Sequence, residues 1–213
     1  MKKKGSTQSL PEGYTEIYSV DMQKDKKTAL LVNGLAIIIA VVMAVPMAFH
    51  ISILEMFNMD KGMLDYFARF LTLLFGTFLY LVLHEAVHGI TMKLFGATKL
   101  RFGFTGMYAF AGSERDYFKK APYIVIALAP VVVFGIVFGI LCPLVPREWF
   151  WVIYLLEIAN VSGAAGDIFV SLRFLKMPKT ILVRDTGVKM NVFAPLQEKQ
   201  EEAPNEENGD KTE

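Results

Sequence analysis

The sequence predicts an α-helical integral membrane protein with about four transmembrane helices, a small cytoplasmic β-hairpin after the second helix, and a short β segment before a disordered tail. Two observations support this class. Of the 213 residues, 54% are hydrophobic and 20% are charged. The charged residues cluster between apolar stretches, each about as long as the roughly 20 residues that a bilayer-spanning helix needs. The net charge of +1 gives no information about a polyanionic partner, and we expect no nucleic-acid binding.

Four apolar stretches are expected to form the membrane spans, namely residues 29–49, 70–92, 121–144 and 149–172. The first has full spanning length and lacks a clean signal-peptidase site, so we interpret it as a retained helix. Trp149 and Trp151 begin the fourth stretch and suit the aromatic belt at a membrane interface. The single cysteine, Cys142, excludes an internal disulfide framework.

The Lys and Arg residues predict the orientation of the spans. Six precede the first span, six lie between the second and third spans, and seven follow from Arg173 onward, whereas three lie in the other connections. Cytoplasmic loops carry an excess of Lys and Arg. We therefore expect a multi-pass protein of the cell membrane, with both termini and the loop after the second span in the cytoplasm.

Three polar segments carry short β patterns. The stretch "TKLRFGFTGMYAFAG" after the second span alternates aromatic residues and glycines around Thr105-Gly106, which predicts a β-hairpin. The stretch "TILVRDTGVKMNVFAP" near the C-terminus predicts another one, turning at residues 185–187, and "GYTEIYSVDM" near the N-terminus predicts a short strand.

The chain accordingly divides into three parts. Residues 1–28 form a cytoplasmic N-terminal segment and residues 29–194 form the membrane-embedded domain. Residues 195–213 are polar, mostly acidic and poor in apolar side chains, so this tail is expected to be disordered.

The second span contains an H-E-x-x-H motif at residues 84–88. Residues four apart share one face of a helix, so the imidazoles of His84 and His88 can bind one metal ion. Glu85 lies about 100° around the helix from His84 and can act as general base toward a metal-bound water. Imidazole ligands favour Zn²⁺. Ionisable groups inside a membrane span indicate function, because they are expensive to bury there.

A catalytic zinc usually has three protein ligands and one open position, so a third ligand is required. At about 1.5 Å per residue, His88 lies ~7.5 Å and His84 ~13.5 Å before Lys93. By the same rise, Asp167 in the fourth span lies ~9 Å before Arg173. Both spans run in the same direction, so Asp167 falls between the two histidines in depth and can face them across a helix interface.

The other candidate ligands lie less favourably. His50 stands at the outer end of the first span, and Glu157 lies ~15 Å above Asp167. Glu114 and Asp116 belong to the cytoplasmic loop after the second span, which can fold back toward the motif. These two acidic residues are the main alternative to Asp167 as third ligand.

Polar side chains also follow one face of the fourth span. Glu157, Asn160 and Asp167 fall within about an 80° arc of an ideal helix. Asn160 can hold the substrate backbone or stabilise an oxyanion as a catalytic residue. An interhelical hydrogen bond is an equally good explanation for Asn160. Glu157 receives no assigned role.

These elements resemble the site-2 protease group of membrane-embedded zinc metalloproteases. In that group an H-E-x-x-H motif lies near the cytoplasmic end of one transmembrane helix, and a later helix carries an Asn and then an Asp-Gly pair whose Asp is the third zinc ligand. Here "HEAVH" matches the first element and "NVSGAAGD" resembles the second. The chain lacks prolines between Asn160 and Asp167, and Ile168 stands where the group has a glycine.

A closer resemblance is to a family of small bacterial membrane proteins described as zincin peptidases. Those proteins share the His-Glu pattern, a hairpin-like loop, a proline in the next span (here Pro130), and the late Asn and Gly-Asp. The resemblance covers about residues 10–195. It implies a bacterial membrane protein that hydrolyses peptide bonds at or within the cytoplasmic side of the membrane.

The function predicted from these residues is metal-assisted peptide hydrolysis. His84, His88 and Asp167 hold Zn²⁺, and Glu85 takes a proton from the bound water and delivers it to the leaving amine. The expected partners are the lipid bilayer and a protein or peptide substrate in or near the membrane.

The alternative function is that of a non-proteolytic metal-binding membrane protein, either a transporter or a subunit of a complex. A transporter needs further ligands along a path through the membrane. In this sequence only Glu157 and Asn160 extend the polar face toward the outer half.

Overall fold

The computed structural model describes residues 5–21, 24–106 and 108–196. Within them, five α-helices are Lys26–His50 (α1), Met63–Leu94 (α2), Lys120–Leu141 (α3), Arg147–Gly163 (α4) and Ala165–Leu175 (α5). Seven strands are Ser6–Thr7 (β1), Tyr14–Asp21 (β2), Arg101–Phe104 (β3), Ala109–Gly112 (β4), Tyr117–Lys119 (β5), Leu182–Asp185 (β6) and Lys189–Pro195 (β7). A short 3₁₀ helix, Ile53–Phe57, lies between α1 and α2.

The helices agree with the four predicted spans. Four helical stretches, namely α1, α2, α3 and the pair α4–α5, are long and apolar enough to cross a membrane. Large apolar side chains cover their outer faces, as with Leu30 at 74% and Phe78 at 70% exposure. Such faces are costly in water and favourable against lipid. The described part of the chain is therefore mostly helical, with four candidate spans.

The fourth span is not the single helix that was predicted for residues 149–172. It divides at Ala164, whose amide N–H donates to the Asn160 and Ser162 carbonyl oxygens. Gly163 precedes the break, and glycine is a poor helix former. The small side chains of Ala164 and Ala165 are fully buried there, which allows close packing. Because of the break, Asp167 lies in the first turn of a new helix.

The strands form a five-stranded antiparallel sheet, in the order β1-β5-β6-β7-β2, and a separate two-stranded hairpin, β3–β4. The predicted hairpin after the second span is confirmed as β3–β4, and the C-terminal one as β6–β7. Gly187 adopts a φ of +83° in the β6–β7 turn, which glycine tolerates best. The predicted N-terminal strand is confirmed as β2.

The five-stranded sheet joins three segments that were predicted separately from the sequence. The sequence did not indicate β1 and β5, because strands of two or three residues carry no period-2 pattern. The N-terminal segment, the loop after α2 and the C-terminal segment thus share one sheet. That sheet reaches into the predicted tail, since β7 ends at Pro195 and the Leu196 amide donates to the Gly13 carbonyl at 3.0 Å. The rest of that tail, 197–213, lies outside the described residues.

All seven strands lie at one end of the helices. They come before α1, between α2 and α3, or after α5, and each of those connections meets the same end of the bundle. An apolar core joins the sheet to the helices there, and it includes Phe118, Phe174, Val183 and Val192, all fully buried. This packing holds the strand-bearing end of α2 and α3 in place.

At the opposite end, a buried arginine connects the 3₁₀ helix to α2. Arg69 is completely buried, and its guanidinium donates to the carbonyl oxygens of Glu55 at 3.1 Å, Met56 at 2.9 Å and Asn58. It also forms an ion pair with Asp65 at 3.3 Å. Five planar N–H donors fit this set of acceptors in a way that lysine cannot.

We expect Arg69→Met to lower the free energy of unfolding by about 3 kcal/mol, because it leaves buried carbonyl groups without their donor and Asp65 without its ion-pair partner. Thermal unfolding in detergent measures the change. Arg147→Met is the matched control, since Arg147 pairs with Glu55 at 3.3 Å but is 64% exposed. The control should cost less than about 1 kcal/mol. Equal losses in both variants would contradict the role of Arg69.

Candidate metal centre

Three of the predicted site residues converge between α2 and α5. The Nε2 atoms of His84 and His88 each lie 3.7 Å from Oδ2 of Asp167. The three candidate ligand atoms lie within 4.8 Å of one another. The i,i+4 spacing on α2 brings the two imidazoles together, with their ring centroids 4.9 Å apart.

The fold gives the carboxylate a different environment from the imidazoles. Both histidines are buried, whereas the Asp167 side chain is 28% exposed. Asp167 stands in the first turn of α5, where the helix dipole favours negative charge. The break at Ala164 therefore places an anionic group at a helix N-terminus. The site is open on the carboxylate side, as the open position of a catalytic metal requires.

The hydrogen bond of His88 fixes the proton on its ring. Its Nδ1 lies 2.9 Å from the Ile126 carbonyl oxygen in α3. A carbonyl oxygen only accepts, so Nδ1 must carry the proton. The neutral ring then has a bare lone pair on Nε2, the atom that faces Asp167.

A chain of hydrogen bonds fixes His84 in the same way. The Asn160 amide nitrogen donates to the Val131 carbonyl at 3.1 Å and to the Glu157 carboxylate at 3.2 Å. The amide oxygen of Asn160 therefore faces the Tyr80 hydroxyl, which donates to it at 3.3 Å. The Tyr80 oxygen lies 2.9 Å from Nδ1 of His84 and accepts a hydrogen bond from the N–H group there. The lone pair of His84 is consequently on Nε2 as well.

This donor set fits zinc. Two imidazole lone pairs and a carboxylate oxygen face one another with no proton between them in the neutral tautomers. In a tetrahedral zinc site with metal–ligand distances near 2.0–2.2 Å, ligand atoms are about 3.3 Å apart. The observed 3.7 Å separations need only a small adjustment to reach that geometry. Both imidazoles also donate from Nδ1 to a second group, as metal-bound histidines do.

The predicted general base stands beside this cluster. Glu85 is half-buried and lines the same cavity as His84, His88 and Asp167. Ala111 of β4 lines the same cavity, so the β3–β4 hairpin lies beside the motif.

A glycine allows the hairpin to approach α2 closely. A Cβ atom on Gly89 would lie only 2.4 Å from the Phe102 ring. The residue directly after His88 thus leaves room for β3 to pack against the helix.

The cluster opens into a cavity of about 1170 Å³ between the helices and the hairpin. Most of its lining is apolar, from α1, α2, α5, β3–β4 and the β6–β7 turn; it includes Val32, Phe78, Phe102, Phe110, Phe169 and Met190. A mostly apolar cavity with a few convergent polar groups is the common form of a ligand site.

Asp185 at the end of β6 also lines the cavity, and the sequence indicated it only as a turn residue. Its carboxylate accepts from the Tyr123 hydroxyl and from the Gly187 amide at 2.7 Å. Burial raises the pKa of Asp185, although these two hydrogen bonds oppose the increase. Its position at the cavity depends on the pairing of β6 with β5, which no local pattern indicated.

The remaining candidates lie elsewhere or have other partners. Glu114 pairs with Arg101 at 2.7 Å on the surface. Asp116 is buried and accepts from the Thr98 amide and the Ser113 hydroxyl, which shows a structural role for its carboxylate. His50 ends α1, away from the strand-bearing end. The structure therefore does not support Glu114 or Asp116 as third ligand.

Asn160 lies near the cluster but has its polar atoms engaged between helices. Its contacts with Tyr80, Val131 and Glu157 correspond to the interhelical hydrogen bonding that the sequence left as an alternative. The catalytic role of Asn160 stays a prediction. Tyr80 was missed, although it precedes His84 by four residues and so shares its helix face.

Comparison of the sequence with known proteins found one matching family and one similar protein. The family described as "Putative zincin peptidase" matches residues 77–182. An "Uncharacterized 24.7 kDa protein in gap 5'region" from Pyrococcus woesei is 34% identical over 126 residues, which are 56% of this chain and 54% of that protein. The chain thus spans about half the length of this curated relative. No solved structure matches the chain.

The matched segment contains the H-E-x-x-H helix, the β3–β4 hairpin and Asp167. A zincin family implies zinc as the cofactor, in agreement with the donor set at the site. Over residues 77–182, about half of its length, the chain is similar to this family of zincin peptidases.

Proposed function

We propose that this protein is a membrane-embedded zinc metallopeptidase that hydrolyses peptide bonds of membrane or membrane-proximal substrates near the cytoplasmic face. The observation that carries the proposal is the convergence of His84, His88 and Asp167 within 4.8 Å beside Glu85. This combination supplies three ligands and one carboxylate base in a single cavity.

Each residue of the site has a definite task in this reaction. His84 and His88 would hold the metal through their Nε2 atoms, and Asp167 would hold it through a carboxylate oxygen. When bound, zinc polarises a carbonyl group and lowers the pKa of water to about 7. The Glu85 carboxylate takes a proton from the attacking water and then donates it to the nitrogen of the leaving amine.

Charge and position support action at the cytoplasmic face. The ligands lie toward the strand-bearing end of α2 and α5, and Lys and Arg residues are concentrated in the segments at that end. The positive-inside rule assigns such segments to the cytoplasm. The substrate bond is then cleaved a short distance below the membrane surface.

The hairpin offers a means of holding an extended peptide. Among the described strands β3 pairs only with β4, so its other edge is available for backbone hydrogen bonds. A transmembrane helix must unwind before cleavage, because its carbonyl groups are engaged within the helix. Pairing with β3 compensates for the hydrogen bonds that unwinding removes.

A transporter is less well supported than a peptidase. Within residues 5–21, 24–106 and 108–196, no second group of three metal-ligating side chains accompanies the first. A metal path through the membrane needs such further sites, whereas hydrolysis needs only one site with an adjacent base.

Zinc content tests the ligand set. We expect about one zinc ion per chain in the purified protein and much less in His88→Ala and Asp167→Ala, because each substitution removes a ligand. Atomic absorption of the detergent-purified variants measures this. His50→Ala is the matched control and should keep its zinc, since His50 lies at the far end of α1. Equal zinc in all four proteins would remove the proposed site.

Glu85→Gln tests the general base. This variant should keep its zinc but lose about 10²- to 10⁴-fold in cleavage rate, because glutamine cannot accept the proton. The assay follows a single-span peptide reconstituted with the protein in phosphatidylcholine vesicles, with products identified by mass spectrometry. Glu114→Gln, at a carboxylate 55% exposed on the surface, is the control with unchanged rate. Wild-type turnover in Glu85→Gln would exclude the assigned role.

Tyr80→Phe tests the hydrogen-bond chain behind His84. Loss of the hydroxyl removes the acceptor for Nδ1 of His84, and we expect zinc affinity to fall about 10-fold. Competition with a chromophoric chelator measures that affinity. Tyr154→Phe is the control, because its hydroxyl donates to the Met43 carbonyl at 2.9 Å rather than to a candidate ligand. If both variants bind zinc like the wild type, the hydrogen bond from His84 to Tyr80 does not contribute to zinc affinity.

A further inference from the structure

Two prolines lie inside membrane-spanning helices, at Pro46 in α1 and Pro130 in α3. Proline has no amide N–H, so the carbonyl group four residues before it loses its helical donor, and the ring pushes that carbonyl away from the helix. In α3 this carbonyl belongs to Ile126. A buried carbonyl without a donor is unfavourable, so another group must supply one.

The Ile126 carbonyl finds its donor at the metal centre. Its oxygen accepts from Nδ1 of His88 at 2.9 Å, across the interface between α3 and α2. Pro130 and Ile126 are both buried, and no solvent competes for this bond. Pro130 thus frees the carbonyl oxygen of Ile126, and His88 donates a hydrogen bond to that oxygen.

We propose that Pro130 is a positioning residue for the metal ligand His88. By removing the helical donor to the Ile126 carbonyl, Pro130 keeps that oxygen available for Nδ1 of His88. This fixes the ring orientation and leaves the Nε2 lone pair facing Asp167. The inference rests on the proposed metal site and adds a residue that does not contact the metal.

An alanine at position 130 restores a competing donor. Its amide N–H lies within the helix at the position that normally bonds to the Ile126 carbonyl. A carbonyl oxygen has two lone pairs, so competition weakens the bond to His88 without removing it. The ring then loses its single preferred tautomer and orientation.

The test compares Pro130→Ala with Pro46→Ala, which makes the same chemical change far from the site. Pro46 is exposed, and the carbonyl four residues before it belongs to the exposed residue Val42. We expect zinc affinity, measured by chelator competition, to fall about 10-fold in Pro130→Ala and to stay within about twofold of wild type in Pro46→Ala. A helix without its proline should be no less stable to heat.

A second readout needs no metal. The ¹⁵N chemical shifts of His88, recorded on metal-free protein at a pH where the ring is neutral, distinguish a proton on Nδ1 from one on Nε2. We expect Nδ1–H in the wild type and a mixture in Pro130→Ala. Assignment comes from comparison with His88→Ala.

The two readouts separate the possible failures. Wild-type His88 protonated on Nε2, or unchanged affinity and tautomer in Pro130→Ala, overturns the role of Pro130. Absence of zinc binding by the wild type overturns the metal site instead, while the tautomer measurement still decides about Pro130. Should Pro130→Ala not fold, the wild-type tautomer still tests the proposal, because a proton on Nε2 of His88 overturns it.

Discussion

The proposed function depends on three lone pairs that two separate helices bring together, in an arrangement that would attract one cation. Two imidazole nitrogens and a carboxylate oxygen lie within 4.8 Å of one another, and the imidazoles are buried. In such surroundings polar atoms without a partner are costly, and electrostatic interactions are stronger than in water. A divalent ion held between them would be the missing partner of all three atoms. The hydrogen bonds to Nδ1 of both imidazoles leave their Nε2 lone pairs facing Asp167.

The surrounding groups act mainly on orientation. A carbonyl in α3 fixes His88, and the chain from Asn160 through Tyr80 fixes His84. Asp167 gains from the N-terminus of α5, which exists only because the fourth span breaks at Ala164. Four helices thus contribute to one site. Helices are well suited to this, since they hold side chains more rigidly than loops do.

The site was predictable where it depends on local helix geometry. The i,i+4 spacing places His84 and His88 on one face, and a rise per residue gives the depth at which Asp167 meets them. The break at Ala164 was not predictable in the same way. The four small residues 163–166 can either continue a helix or end it, and tertiary packing decides which of the two occurs. Ile126 is a further example. The sequence indicates that the proline four residues later frees the Ile126 carbonyl, but only the helix interface shows that His88 donates a hydrogen bond to that oxygen. The five-stranded sheet, which joins distant segments, needs tertiary contacts that no local pattern records.

Zinc K-edge X-ray absorption of the purified protein tests the central claim most directly. The account predicts a four-coordinate site with two imidazole nitrogens at about 2.0–2.1 Å and oxygen ligands at about 2.0–2.2 Å. The imidazole rings should give their characteristic outer-shell scattering. A spectrum without imidazole scattering, or one with sulfur at about 2.3 Å from the chain's single cysteine, would contradict it.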